Sequence, residues 1–93
     1  MKATQIYRKR EMLPNGLLIE AVVWHVPKPV PGCAHSYKYR LYAGRAGQCL
    51  VRYDNERDKG DHKHIGAVEA PYAFMSVDRL MADFIDDVNR LGG

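Results

Sequence analysis

Ser76-Val77-Asp78-Arg79-Leu80-Met81-Ala82-Asp83-Phe84-Ile85-Asp86-Asp87-Val88-Asn89-Arg90-Leu91 is the stretch that decides the fold. Val77, Leu80, Met81, Phe84, Ile85, Val88 and Leu91 recur with the 3.6-residue period of a helix, and Arg79, Asp83, Asp86, Asp87 and Arg90 fall on the other side. Ser76 supplies an N-cap, Asp78 suits the positive end of the helix dipole, and Gly92-Gly93 ends the run. Such a stripe has to be buried, and the sequence before it offers a sheet to bury it on.

Working back from the helix, the segments alternate or are rich in β-branched and aromatic residues. Gln48 to Tyr53 reads as a strand with Cys49, Val51 and Tyr53 opposite Leu50 and Arg52. His35 to Ala43 reads as another, with Tyr37, Tyr39 and Leu41 on one face and Ser36, Lys38, Arg40 and Tyr42 on the other. Gly44-Arg45-Ala46-Gly47 joins these two as a hairpin turn. Leu17 to Val26 is a strand suited to burial, and Thr4 to Met12 is an amphipathic or edge strand with Ile6, Arg8 and Arg10 on one face. Leu13-Pro14-Asn15-Gly16 turns between them, and the three prolines of Pro27 to Gly32 force a surface loop. Asp61 to Val68 extends briefly before Pro71. The expectation is an α+β domain of order ββββα spanning residues 1–93: a four-stranded antiparallel sheet of two hairpins with one C-terminal amphipathic helix packed on a face.

A chain of 93 residues has a small core, which leaves room for a partner, a second copy of the chain included, to help hold it. No apolar run reaches the roughly 18 residues of a membrane span. The N-terminal residues lead directly into patterned sequence without a signal-peptide stretch, so a cytoplasmic protein is expected. Cys33 and Cys49 stand in no zinc or redox spacing and are expected as free thiols. Charge is unevenly spread: residues 1–64 hold twelve Lys or Arg against six Asp or Glu, whereas residues 65–93 hold two against five. The excess positive charge of the first part suits an anionic polymer such as nucleic acid.

The chemistry-bearing residues cluster in Arg52-Tyr53-Asp54-Asn55 and Asp61-His62-Lys63-His64. Imidazole titrates near neutrality, so a histidine pair can divide the tasks of RNA cleavage, one ring activating the 2′-hydroxyl and the other protonating the leaving 5′-oxygen. If the segment is extended, His62 and His64 point the same way and Lys63 points away from them. Arg52, Lys63 and Arg57 are candidates to hold phosphate, and Asp54 to orient an imidazole. No metal is needed for that scheme and no cofactor motif is present; the alternative is a two-histidine, one-carboxylate metal site of Asp54, His62 and His64. Tyr53, Tyr37, Tyr39 and Tyr42, interleaved with Lys38, Arg40 and Arg52, resemble the stacking and phosphate contacts of single-strand RNA binders. Against all of this stands a plain structural reading, in which polar residues between two elements form a solvated loop and Asp54-Asn55 simply turns the chain.

The run Val51-Arg52-Tyr53-Asp54-Asn55 followed by His62-Lys63-His64-Ile65, with Tyr39-Arg40-Leu41 before it and the amphipathic helix after it, resembles the TumE family over residues 16–91. The resemblance implies a toxin of a toxin–antitoxin pair acting inside the cell beside a helix-turn-helix antitoxin. Arg52, Tyr53, Asp54, Asn55, His62, Lys63 and His64 take the family's motif positions. Relatives often carry extra histidines between the two halves of the motif, where this chain has the short link Glu56 to Asp61. Two functions follow from the residues and the resemblance together. One is a metal-independent endoribonuclease with His62, His64 and Asp54 in the reaction and Arg52, Tyr53, Asn55, Lys63, Arg40 and Lys38 on the substrate. The other is a noncatalytic module that binds nucleic acid or the antitoxin.

Overall fold

In the computed structural model, which describes residues 3–55 and 59–91, the chain forms six strands and one helix. The strands are β1 (Thr4–Met12), β2 (Leu17–His25), β3 (Tyr37–Arg45), β4 (Gln48–Asp54), β5 (His62–Ile65) and β6 (Val68–Pro71), followed by α1 (Val77–Arg90). They make one antiparallel sheet in sequence order, a meander from β1 to β6. The expected four-stranded sheet is therefore corrected to six. The extra pair is a hairpin of two four-residue strands, His62–Ile65 and Val68–Pro71, too short and polar to show a periodic pattern. Gly66 reverses the chain there with φ of +60°, at the first central position of a two-residue loop, where glycine avoids steric cost.

Turn chemistry fixes the other hairpins. Asn15 accepts the Leu17 N–H through its side chain at 3.0 Å, and Gly16 takes φ of +83°. The second turn is two residues shorter than expected: β3 continues through Gly44 and Arg45, and Ala46-Gly47 reverses with both φ angles positive. A bulge where Ala43 and Gly44 meet β4 permits this. Gly44 is required because Tyr42 lies over it, and a Cβ there would also come within 2.6 Å of the Gln48 carbonyl oxygen. In β1 a bulge between Gln5 and Tyr7 puts Gln5, not Ile6, on the face of Arg8 and Arg10.

Alternation then sorts the side chains. Leu17, Ile19, Ala21 and Val23 of β2, Tyr39, Leu41 and Ala43 of β3, and Val51 and Tyr53 of β4 are buried together with Leu80, Phe84 and Val88 of α1. The helix lies along β4, capped by the Ser76 hydroxyl, which accepts the Arg79 N–H at 3.1 Å. Its buried stripe is narrower than the periodicity suggests, since Ile85 and Leu91 are exposed. Asp83 and Asp87 also leave the expected outer face and turn to the sheet: Asp87 accepts the Tyr53 hydroxyl and faces Lys63, and Asp83 accepts the Tyr72 hydroxyl at 2.6 Å. The end of the helix at Gly92-Gly93 lies outside the described residues. Among the described residues no helix is long and apolar enough to cross a membrane, and Cys33 and Cys49 are free thiols.

Burial, then the carboxylates of Asp61, Asp87 and Asp83 respectively, push the Tyr39, Tyr53 and Tyr72 hydroxyls above the ordinary tyrosine value. Their folded values exceed the unfolded ones, so their stabilisation is complete below about pH 10 and is lost as pH rises beyond it. Urea midpoints measured from pH 8 to 11 should stay level up to about pH 10 and then fall; a level midpoint through pH 11 would contradict these contacts.

Candidate active site

Among the described residues no element covers the face of the sheet away from α1, and register places its side chains in rows. One row runs Arg8, Val22, Arg40, Asp54, His62; the next runs Arg10, Glu20, Tyr42, Arg52, His64, Glu69. Trp24 and Lys38 pair beside them. The same face thus carries five Lys or Arg (Arg8, Arg10, Lys38, Arg40 and Arg52) with the aromatic rings of Trp24 and Tyr42. Gln5, Arg8, Arg10, Trp24, Arg40 and Tyr42 line one shallow depression on it, and Lys38, Arg40, Arg52 and Asp54 line part of the next.

His62 and His64 lie at the far end of these rows, with ring centroids 5.4 Å apart. Positions i and i+2 of a strand share a face, so four residues suffice to pair them. His62 is nearly buried and His64 partly so. His62 Nδ1 lies 3.0 Å from the Gly60 carbonyl oxygen, and Nε2 lies 2.5 Å from Asp54 Oδ1. Both nitrogens therefore face oxygens. The Asp54 contact is a close approach rather than an aligned hydrogen bond, because Oδ1 is buried without a hydrogen-bond partner. Arg52 Nε lies 3.3 Å from Asp54 Oδ2 and is likewise buried without an aligned partner.

His64 has the opposite character. Its Nε2 lies 2.8 Å from Arg52 Nη2 and 2.8 Å from Glu69 Oε2. Guanidinium can only donate and carboxylate can only accept, so the unprotonated nitrogen has a partner in Arg52 and the protonated nitrogen has one in Glu69. A proton can enter or leave this atom without leaving it unpaired.

Six of the expected site residues share the open face: His62, His64, Asp54, Arg52, Arg40 and Lys38. Tyr53, Asn55 and Lys63 do not. Tyr53 is buried under α1, stacked edge-on against Tyr72 and Phe84 at 5.0 and 5.7 Å. Lys63 points to the helix side, with Nζ 3.4 Å from Asp87 Oδ2. Asn55 is buried; its side chain accepts the Tyr39 N–H at 2.9 Å and donates to the Tyr37 carbonyl at 2.6 Å, tying the end of β4 to β3. Their odd numbers, against the even numbers of Arg52, Asp54, His62 and His64, are the parity of a strand. Of the other tyrosines, Tyr39 is buried and Tyr42 is on the open face. Arg57 lies outside the described residues.

Glu69 is the residue the sequence reading missed. It pairs with His64 across the β5–β6 ladder, and its signal exists only once that register is known.

A second polar cluster lies on the helix side. His35 Nε2 donates to Asp61 Oδ1 at 2.7 Å, the Tyr39 hydroxyl donates to the same oxygen at 2.6 Å, and His35 stacks on Phe74 at 3.8 Å. Cys33 joins through Asn55, whose amide lies 3.7 Å from its sulfur; burial first, then the Asp61 charge, pushes the thiol above its ordinary value. This cluster pins the loop before β3 to the start of β5.

The architecture is thus a six-stranded meander covered on one face, with two imidazoles, two carboxylates and a guanidinium together on the other. The chain belongs to the TumE toxin family: the family model described as Toxin TumE matches residues 2–91, nearly the whole chain and including β1. No curated protein and no solved structure matches it.

Asn55 serves the fold in this structure. Asn55→Ala leaves the Tyr39 N–H without its acceptor and the Tyr37 carbonyl without its donor, and should cost about 1–3 kcal/mol in denaturant unfolding. A loss below about 0.5 kcal/mol would contradict that role.

Proposed function

We propose that this toxin is a metal-independent endoribonuclease that lays single-stranded RNA across its open sheet face and cleaves it at the His62–His64 pair. The observation that carries this reading is the row from Arg10 through Tyr42 and Arg52 to His64, which joins cations and aromatic surface to a proton-exchanging imidazole on one uncovered face. From β1 to β5 the row crosses four strand spacings of about 4.8 Å, roughly 19 Å, enough for a strand of RNA to meet several side chains at once.

The roles follow from hydrogen-bonding capacity. RNA phosphate attracts Arg52, which leaves His64 Nε2 and takes the phosphoryl oxygens, where it stabilises the developing charge. The freed Nε2 removes the proton of the 2′-hydroxyl, and the resulting imidazolium is received by Glu69. The 2′-oxygen attacks phosphorus, the P–O5′ bond breaks, and His62 gives its Nε2 proton to the departing 5′-oxygen, leaving a 2′,3′-cyclic phosphate. Asp54 and the Gly60 carbonyl hold the His62 ring for that step. Lys38 and Arg40 bind flanking phosphates, and Trp24 and Tyr42 offer stacking surface. As a family toxin the protein has an antitoxin as its partner in this reading, with a helix-turn-helix protein as the kind implied, and it acts in the cytoplasm.

A second reading, a noncatalytic module that binds RNA or the antitoxin, is favoured by one observation: His62 is nearly buried and both of its nitrogens are already engaged. It predicts salt-sensitive RNA association without turnover. Purified protein incubated with total RNA in EDTA separates the two. The nuclease reading expects fragments with cyclic phosphate ends, a rate at least about 10²-fold lower for His64→Ala, and an unchanged circular dichroism spectrum. Undiminished cleavage by a His62→Ala, His64→Ala double variant would sink it.

A further inference from the structure

His62, His64 and Glu69, which the cleavage scheme uses to move protons, also have the spacing of a metal site, a capacity that the scheme does not require. We infer that these three side chains bind a divalent transition-metal ion of the zinc type, and that this ion inhibits the toxin by occupying the nitrogens that move protons. The inhibitory half rests on the nuclease reading; the binding half does not.

The geometry is that of a built site. One ligand atom from each residue lies within 4.8 Å of the other two. Glu69 Oε2 is 2.8 Å from His64 Nε2 and 3.9 Å from His62 Nε2, and these values bracket the roughly 3.3 Å between neighbouring ligands at bond lengths of about 2.0–2.1 Å in a tetrahedron. All three ligands stand on paired strands rather than on loops, with Glu69 directly opposite His64. His62 Nδ1 faces the Gly60 carbonyl, the usual outer support of a metal-bound histidine, and Nε2, which approaches Asp54 Oδ1 without an aligned hydrogen bond, is the coordinating atom.

Charge points the same way. Asp54, Glu69 and Asp61 bring three carboxylates to the cluster and its depression against the Arg52 guanidinium and the Lys59 ammonium, and Asp54 Oδ1 is a buried carboxylate oxygen with no hydrogen-bond partner 2.5 Å from His62 Nε2. A cation among these atoms neutralises it. Arg52 competes for His64 Nε2, yet its Nε already lies 3.3 Å from Asp54 Oδ2, so the guanidinium has a carboxylate to retain when it yields the imidazole. Two imidazoles and a carboxylate select zinc, cobalt or nickel over magnesium and calcium, which prefer oxygen alone.

The Cys33, His35 and Asp61 cluster is the rival for such an ion, having a sulfur, a nitrogen and an oxygen close together. It is the more firmly committed of the two. His35 Nδ1 accepts the Tyr37 N–H at 3.2 Å and Nε2 donates to Asp61, so coordination by either nitrogen costs a hydrogen bond, whereas His62 Nε2 makes no aligned one.

A metal ion bonded to Nε2 of both His62 and His64 removes the lone pair that takes the 2′-hydroxyl proton and the proton that the 5′-oxygen needs. Zinc should therefore stop RNA cleavage, and EDTA should restore it.

The test titrates the chelator-stripped full chain with Zn²⁺ alone by calorimetry and with Co²⁺ by visible absorption. One ion per chain is expected, with affinity lowered at least about 10–100-fold in His64→Ala, at a partly buried position, and in Glu69→Gln, at an exposed one, and unchanged in Cys33→Ala. No saturable binding, or equal binding by all of these variants, overturns the site. Equimolar Zn²⁺ is then added to the cleavage assay. Suppression reversed by EDTA supports the inhibitory role, whereas cleavage unaffected or accelerated by bound Zn²⁺ overturns it. Zn²⁺ binding without cleavage in either condition overturns the nuclease reading and the inhibitory role together, and leaves the metal site standing.

Discussion

The structure depends on one-sided packing of α1 against the middle of the sheet. Leu80, Phe84 and Val88 are each almost wholly removed from water, and burying such side chains is worth about 1.5–3 kcal/mol apiece. They rest on the inward residues of β2 to β4, and Tyr53 completes the contact by stacking on Phe84 and donating to Asp87. Once that face is taken, alternation commits every second residue to the other face. Arg40, Tyr42, Arg52, Asp54, His62 and His64 are brought together by this constraint before any of their own interactions is counted.

Charge follows the same division. The acidic residues of the last third are concentrated on α1, where Asp83 and Asp87 are held by tyrosine hydroxyls and Lys63. Five of the cations from the first two-thirds line the open sheet face. Positive charge is thereby gathered on one side of the molecule and negative charge on the other. The β5–β6 hairpin is short, and it is clamped from both sides: Arg52, Asp54 and Glu69 engage its histidines on the open face, while Lys63, Tyr72 and Asp61 are tied down on the covered face. The side chains given chemical roles therefore also help to hold their own strand.

Long, strongly patterned elements were legible in the sequence. The Ser76 cap, the helix stripe, the first four strands and the Asn15-Gly16 turn all follow from local rules, as does the shared direction of His62 and His64. The extension of Asp61 to Val68 was legible, but its reversal at Gly66 and its place in the sheet as strands β5 and β6 were not, because four residues such as His-Lys-His-Ile carry no period that separates a paired strand from an extended loop. Glu69 was hidden for the same reason, since it is an ordinary surface carboxylate until register sets it beside His64. The Arg-Tyr-Asp-Asn motif read as one unit, yet strand parity divides it: Arg52 and Asp54 face out, and Tyr53 and Asn55 face the core. Bulges at Ile6 and at Gly44 shifted faces and turns by amounts that only backbone pairing determines.

The most direct measurement of the central claim is an amide and indole NMR titration of the chain with a single-stranded oligonucleotide lacking 2′-hydroxyls, which binds without being cut. The largest shifts are expected at Trp24, the chain's one tryptophan, and at Arg40, Tyr42, Arg52 and His64, with α1 little changed. Shifts concentrated on α1, or none at saturating oligonucleotide, would contradict it.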